Sequence, residues 1–511
     1  MLFRPVLSGL IALTCAMSST QAQDASAAPP PIRTFLDLEA YAASLAQKPY
    51  DPPKHPLDPF FDTLKYDGHR QIRFKADKAL YNDVEHSYRI EFFHPGWTAK
   101  KTVEFFDIKA GQPAAIPFSK DLFDYGNLKV PEGAKYPDGY AGFRLLAPDT
   151  LLNKRFEFMV FMGASYFRAV TTKLGWGLSA RGVAINTVGG EPEEFPDFTH
   201  FWFVQPKAGE KVFQFYALLN GPSVCGAYQF EVTPGETTMM RVSGSLFLRK
   251  KVKLLGLAPF SSMFWYGENT HPKPLDFRPE VHDSDGLLIE QENGTMIWRP
   301  LDNGKEMRQS VYSLEGIKGF GLQKRDRNFN HFEDLEARYH ERVSVWVDPV
   351  EGFGRGKLHL IELATGEETW DNIVTFWEPE TQPTATEPLR FAYNLSWLAE
   401  KPHDLAKVLA TRWGEGVATS EIPNDYLFVV DFSKGKPLPG KAADWVPDTE
   451  LHITGTAKVL DKRVMINPET GGYRAFFKLD IQPDVKILEM TCDLVDGKKP
   501  ISERWSYQWK R

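Results

Sequence analysis

Only three cysteines occur in the 511 residues. Cys15 sits inside an apolar leader, which leaves Cys225 and Cys492, far apart and expected in different folding units. That count excludes a disulfide framework, and it excludes a cysteine-based zinc site, whose ligands come in closely spaced pairs. Basic charge is not in excess either: 60 Lys+Arg against 67 Asp+Glu leave a formal charge of -7, so no cationic field gathers nucleic acid or anionic lipid. The apolar run from Val6 to Met17 is shorter than the about 20 residues a bilayer-spanning helix needs. No phosphate loop ending in Gly-Lys-Ser/Thr and no His-Glu-x-x-His helix occurs, so nucleotide and zinc-protease chemistry lack their usual markers.

What is present begins with a secretion leader. Arg4 precedes the run from Val6 to Met17, and Thr20 and Ala22 fit the positions flanking a signal-peptidase cut, so residues 1–22 read as a signal peptide and the mature chain begins near Gln23. Thr14 is a poor residue before a lipidated Cys15. After a Pro/Ala-rich spacer, Thr34 and Asp37 form a capping box ahead of Phe35, Leu38, Ala42 and Leu45, which repeat at helical spacing.

Beyond that helix the dominant period is two. Tyr228, Phe230 and Val232 alternate with Gln229 and Glu231; Val343, Val345 and Val347 alternate with Ser344 and Trp346; Phe391, Tyr393, Leu395 and Trp397 continue the pattern. Turn residues between these runs, with no long amphipathic helices, predict an all-β, mostly antiparallel fold. The segment from about Leu398 to Ala418 is polar, holds Pro402 and lacks strand alternation, so the domain junction is expected there. Strands are then expected at Leu427–Phe432, Leu451–Val459, Tyr473–Leu479, Ile487–Leu494 and Trp505–Trp509, which suits an immunoglobulin-like sandwich. The division is a large sandwich over 23–400 followed by a smaller one over 401–511.

Several chemical motifs dissolve on inspection. Gly177-Leu-Ser179-Ala-Arg181-Gly182 has Arg181 where a nucleophile elbow needs glycine, and no strand-to-helix context. Gly352, Gly354 and Gly356 read better as a glycine-rich hairpin turn than as a dinucleotide fingerprint. His282-Asp283-Ser284-Asp285-Gly286 packs two carboxylates and an imidazole into one loop, although Asp-Ser-Asp-Gly also makes ordinary Asx-turns. Glu367, Glu368 and Asp371 flank Trp370 in a second acidic loop, where a solvated hairpin end is the bland alternative. Aromatics make up 13% of the chain; they suit sugar stacking and a sandwich core equally.

Taken in order, Lys65-Tyr66-Asp67, Gln71-Ile-Arg-Phe74, Gly163-Ala-Ser-Tyr-Phe-Arg168, Gly177 to Gly182, Glu194-Phe-Pro196, Ala258-Pro259 with Ser262-Met-Phe264, His282-Asp-Ser284, Trp298-Arg-Pro-Leu301, Gly319-Phe-Gly-Leu322 and Asp371-Asn-Ile-Val374 resemble the periplasmic glucans biosynthesis proteins G and D. The resemblance spans nearly the whole mature chain, and Gln71-Ile-Arg-Phe74 is closer to the G branch. It implies an N-terminal β-sandwich with a long groove, a C-terminal immunoglobulin-like domain, a periplasmic location and work on β-1,2-linked glucan. The family includes inverting endo-β-1,2-glucanases and relatives that transfer glycosyl groups. In it two aspartates do the acid/base work, and they match Asp283 and Asp371, while Tyr339 and Glu368 match positions near the cleavage site.

The expected scheme has Asp371 as general acid and Asp283 as general base, with no metal and no organic cofactor. Tyr339, Trp370, Trp298 and Tyr166 are candidates for sugar contacts, and Arg168, Arg181 and Arg299 for hydrogen bonds to glucan hydroxyls or buried carboxylates. The segment around Trp413 is expected to be a variable loop that influences whether water or a sugar is the acceptor. The alternative is a non-catalytic protein that receives nascent glucan from the inner-membrane synthase, its C-terminal domain serving for protein contact.

Overall fold

The computed structural model describes residues 29–52, 56–416, 425–442 and 444–511; the leader read in residues 1–22 lies outside them. The capping box forms as expected. Thr34 and Asp37 bond each other's backbone at the start of the helix Phe35–Ala46, which packs Leu38, Ala42 and Ala46 on a sheet. No helix among the described residues is long and apolar enough to cross a membrane.

The fold is all-β. A ten-stranded sheet runs Arg89–Phe93, Gly142–Leu146, Glu157–Met162, Tyr166–Ala169, Ser179–Arg181, Leu255–Ser262, Ile373–Pro379, Gly356–Glu362 and Arg308–Leu314, with Ala184–Ile185 added to Leu255–Ser262. Facing it is a fifteen-stranded sheet. Period-two patterning explains how both faces of the longer sheet are used: in Phe213–Asn220, Phe213, Phe215, Ala217 and Leu219 enter the core between the sheets, while Tyr216 and Leu218 turn to the other face, under the N-terminal helix.

That core consumes much of the aromatic content. Phe161 stacks on Phe143 at 5.1 Å and meets Phe215 edge-on at 5.3 Å, and Phe215 stacks on Phe230 at 4.8 Å. Each such side chain removed from water is worth about 1.5–3 kcal/mol. Pairing is antiparallel nearly throughout; Asp197–Val204 with Glu104–Lys109 and Met296–Pro300 with Arg504–Lys510 are parallel.

The second of these parallel pairs joins the middle of the chain to its C-terminal strands. Asp448–Thr454, Ile487–Asp496 and Arg504–Lys510 extend the fifteen-stranded sheet beyond Met296–Pro300, and a separate four-stranded sheet (Val408–Glu415, Asp425–Phe432, Gly472–Asp480, Lys458–Asn467) lies with them around a second core. Trp298, Trp346 and Leu288 share that core with Phe428, Phe477, Trp505 and Trp509. Cys225 and Cys492 are buried in different cores.

Four local expectations are corrected. The run Leu451–Val459 is not one strand but the end of Asp448–Thr454 in the long sheet and the start of Lys458–Asn467 in the four-stranded one. The polar stretch read as strandless contains the strand Val408–Glu415, whose register comes from backbone pairing with Tyr426–Phe432 and which, at a sheet edge, buries little beyond Val408 and Thr411. Trp413 accordingly lies in a strand rather than a loop, its indole N–H donating to the Asn269 carbonyl at 3.0 Å. The glycines 352–356 do not close a hairpin: Ser344–Glu351 belongs to the long sheet and Gly356–Glu362 to the ten-stranded one, so this turn crosses between layers. Gly352 has φ +82°, and a Cβ there would sit 2.6 Å from the Arg390 carbonyl oxygen, so the crossing requires glycine.

Candidate functional site

Asp283 and Asp371 are 88 residues apart, yet one short stretch of backbone anchors both. The Asp283 amide donates to the Met263 carbonyl at 2.8 Å. At the next residue, Asn372 accepts from the Phe264 amide at 2.8 Å and donates to the Phe264 carbonyl at 3.0 Å. Phe264 pairs with His282 across a two-stranded ladder. The order Asp371–Asn372 against Phe264 against His282–Asp283 thus brings the two acidic loops together at the end of the ten-stranded sheet.

Their electrostatics differ in a useful way. Burial raises the Asp283 carboxyl, but Arg342, Lys324 and Arg168 all pull it back towards the anion; Arg342 Nε lies 3.2 Å from Asp283 Oδ1. Asp371 has an exposed side, but enough protein surrounds it for burial to be the largest influence. It is raised by that burial and by the charge of Asp283, with Arg168 the single cation opposing them. Both carboxyls are raised by burial, and more cationic charge opposes this at Asp283 than at Asp371.

Arg342 connects this pair to a concavity. Its guanidinium also bonds the Trp176 carbonyl, and Trp176, Tyr166, Arg168, Phe93 and Met162 line a cavity of about 320 Å³. Tyr339 is buried; its hydroxyl donates to Glu368 Oε2 at 3.3 Å, and burial, then the charges of Glu368 and Asp283, push its pKa up. Arg342 stands over its ring at 5.1 Å. Glu368 in turn pairs with Arg278 at 2.6 Å, and Arg278 also holds Asp276 and Asp334, each at 2.9 Å. One guanidinium therefore clamps the loops carrying residues 276, 334 and 368. Trp370 stands beside Asp371 with 65% of its surface exposed.

Other residues singled out from the sequence are placed elsewhere. Trp298 is buried under Arg325, whose guanidinium lies 3.5 Å from the ring centre, and it borders a second cavity of about 390 Å³ reached by Thr411 and Arg412 of the four-stranded sheet. Arg299 is buried and bonds Ser310 and Glu489. Arg181 is buried too, paired with Glu193 at 3.0 Å and stacked between Phe195 and Tyr166. Trp298 and Arg299 thus meet protein partners, whereas Arg181 packs beneath Tyr166, which lines the 320 Å³ cavity. Among the described residues no cluster of His, Cys, Asp and Glu is arranged to hold a metal ion.

Sequence reasoning missed Arg342, Lys324, Arg278 and Asn372. Asn372 lay inside a quoted motif, but its bonds to residue 264 are visible only in the fold. The three cations carry no local signal, since a lysine or arginine in a polar stretch is ordinarily solvated.

Residues 34–509 match the family model described as periplasmic glucan biosynthesis protein, MdoG. The chain is 39% identical over 482 residues to glucans biosynthesis protein G of Pseudomonas paraeruginosa, covering 92% of each. It is also 39% identical over 531 residues to glucans biosynthesis protein D 1 of Ralstonia nicotianae, covering 99% of this chain and 98% of the relative, so identity does not separate the G and D branches. A third relative, glucans biosynthesis protein G of Serratia proteamaculans, is 38% identical over 481 residues. With its all-β fold and a match over nearly its whole length, the chain belongs to the periplasmic glucan biosynthesis protein family MdoG.

Proposed function

We propose that this protein acts in the periplasm as a glycoside-bond-cleaving enzyme of glucan biosynthesis, an inverting endo-β-1,2-glucanase or a transglycosylase that reshapes glucan delivered by the inner-membrane synthase. What supports this is a single observation: two carboxyl groups from distant loops share one backbone anchor, and the charge of one helps to keep the other protonated. The carboxylic acid of Asp371 gives its proton to the departing glycosidic oxygen as the C1–O bond breaks. The carboxylate of Asp283 takes a proton from water, or from an acceptor hydroxyl, as the new C1–O bond forms on the opposite face. Inversion needs the two carboxyls about 6.5–9.5 Å apart to admit that nucleophile. Trp370, Tyr166 and the Tyr339–Glu368 pair are the sugar-contacting groups, and Arg168 serves both acids.

Chain length of linear β-1,2-glucan incubated with the mature protein tests this. Shortening or redistribution of chains is expected, with Asp283→Asn and Asp371→Asn each slowing it on the order of 10²–10⁴-fold while oligosaccharide binding persists. Unchanged polymer across pH and protein concentration, with binding intact, would leave a carrier that receives glucan without cutting it.

A further inference from the structure

Behind Asp283 lies a lysine that the proposed chemistry does not touch. The Lys324 side chain is wholly buried. Its ammonium lies 3.1 Å from His282 Nδ1, 3.3 Å from the His282 carbonyl oxygen and 3.3 Å from Asp285 Oδ1, and 3.9 Å from the centre of the Phe332 ring. An ammonium only donates, so His282 Nδ1 accepts and Nε2 carries the hydrogen, directed at Glu280 Oε2 3.0 Å away. Phe264 and Phe332 enclose the imidazole at 4.9 and 5.1 Å. Burying a charge in such a place is unfavourable unless every N–H finds an acceptor. Here the acceptors straddle Asp283: two belong to the residue before it and one to the second residue after it.

The rest of the loop is held as tightly. Ser284 bonds Ser262 through their hydroxyls at 2.8 Å, and the Asp285 carboxylate accepts from the amides of Arg325 and, at 2.9 Å, Asp326. Lys324 itself is fixed by its amide, which donates to the Ser344 hydroxyl at 2.8 Å. Its charge is also one of those acting on the Asp283 carboxyl. We propose, resting on the assignment of Asp283 as general base, that Lys324 is its positioning residue: the buried ammonium locks the 282–285 loop from behind and presents the Asp283 carboxylate to the substrate side as an anion.

The groups facing Lys324 are His282 and Asp285 of the loop, Glu280 just before the strand Val281–His282, and Asp326 beside it. Those facing Asp283 are Arg342, Arg168, His282, Tyr339 and Asp371 as well as Lys324. Removing the ammonium leaves Arg342 and Arg168 in place. The Asp283 carboxyl then titrates higher by about one unit, the low end of what a nearby cation contributes.

The experiment compares the wild type with Lys324→Met, Lys324→Gln and Lys324→Arg in the full mature chain. Carboxyl NMR of protein carrying ¹³C-labelled aspartate follows Asp283 itself, identified by the resonance missing in Asp283→Asn; the pH dependence of kcat/KM on β-1,2-glucan follows its use. In the Met and Gln variants the Asp283 midpoint and the acid limb of the rate profile both move up by about one unit. Below that limb the rate falls about tenfold, with substrate binding retained, and Lys324→Arg restores the wild-type midpoint. A midpoint that stays put in folded Met or Gln protein overturns the proposal, as does loss of the fold in both neutral variants, which would make Lys324 a stability residue only. If the wild type does not cut glucan but the NMR midpoint still moves, the positioning role stands and the catalytic assignment falls.

Discussion

Replacing Arg278 by methionine removes one side chain and unties three loops. The guanidinium is 10% exposed and meets Asp276 and Asp334 at 2.9 Å and Glu368 at 2.6 Å. A charged hydrogen bond contributes about 1.5–3 kcal/mol, but the released carboxylates regain part of their hydration because they lie near the surface. A net loss of about 2–4 kcal/mol follows, towards the lower side of what breaking a buried pair costs. Spent on local opening, that raises the open population of the 363–372 and 331–338 segments by roughly thirty- to nine-hundred-fold. Hydrogen exchange at neutral pH measures this directly: both segments lose protection while the paired strands Phe213–Asn220 and Val224–Thr233 keep theirs. Lys at this position falls between, because an ammonium lacks the fork that serves several acids at once. The effect is also pH-dependent. Arg278 holds Asp276 down to about 2, and the Ala337 amide followed by Arg278 lowers Asp334 despite its burial, so the clamp is complete above the unfolded carboxyl value of about 3.9 and is lost as pH falls towards 2. Wild type and variant should therefore converge on acidification. Equal exchange in the two segments at pH 7 would refute the clamp.

Two further outcomes follow from the same geometry. The rate profile on glucan should have an acid limb above the ordinary aspartate range, since Asp283 must ionise and is raised by burial, and its alkaline limb marks deprotonation of the raised Asp371; an acid limb at or below pH 3.8 removes Asp283 as base. Burial pushes the thiols of Cys225 and Cys492 up to about 11 and about 12, so neither should react with a thiol reagent in the native protein at pH 8, and both should react on denaturation; rapid native labelling would contradict the two cores as described.

Much of the architecture was legible in the chain because period-two alternation is local. The Tyr228–Val232 and Phe391–Trp397 runs became strands, and the capping box at Thr34 and Asp37 became a helix start. Val408–Glu415 was missed because an edge strand draws its register from a neighbour and little from its own apolar pattern. The 352–356 glycines were assigned to the wrong turn for a related reason: local composition reports that the chain reverses, not which sheet it joins next.

The site divides along the same line. The sequence by itself determined that the chain is all-β, lacks a cysteine framework and carries acidic loops at His282-Asp283 and Glu368 to Asp371, because these depend on residue type and short-range order. Only the tertiary structure decided that residues 263 and 264 anchor both loops, that Arg342 and Lys324 stand by one carboxylate and not the other, and that Trp298 and Arg299 turn into the junction with the C-terminal strands. Proton affinities follow from burial and from charges brought close in space, and neither quantity exists until distant segments have packed together.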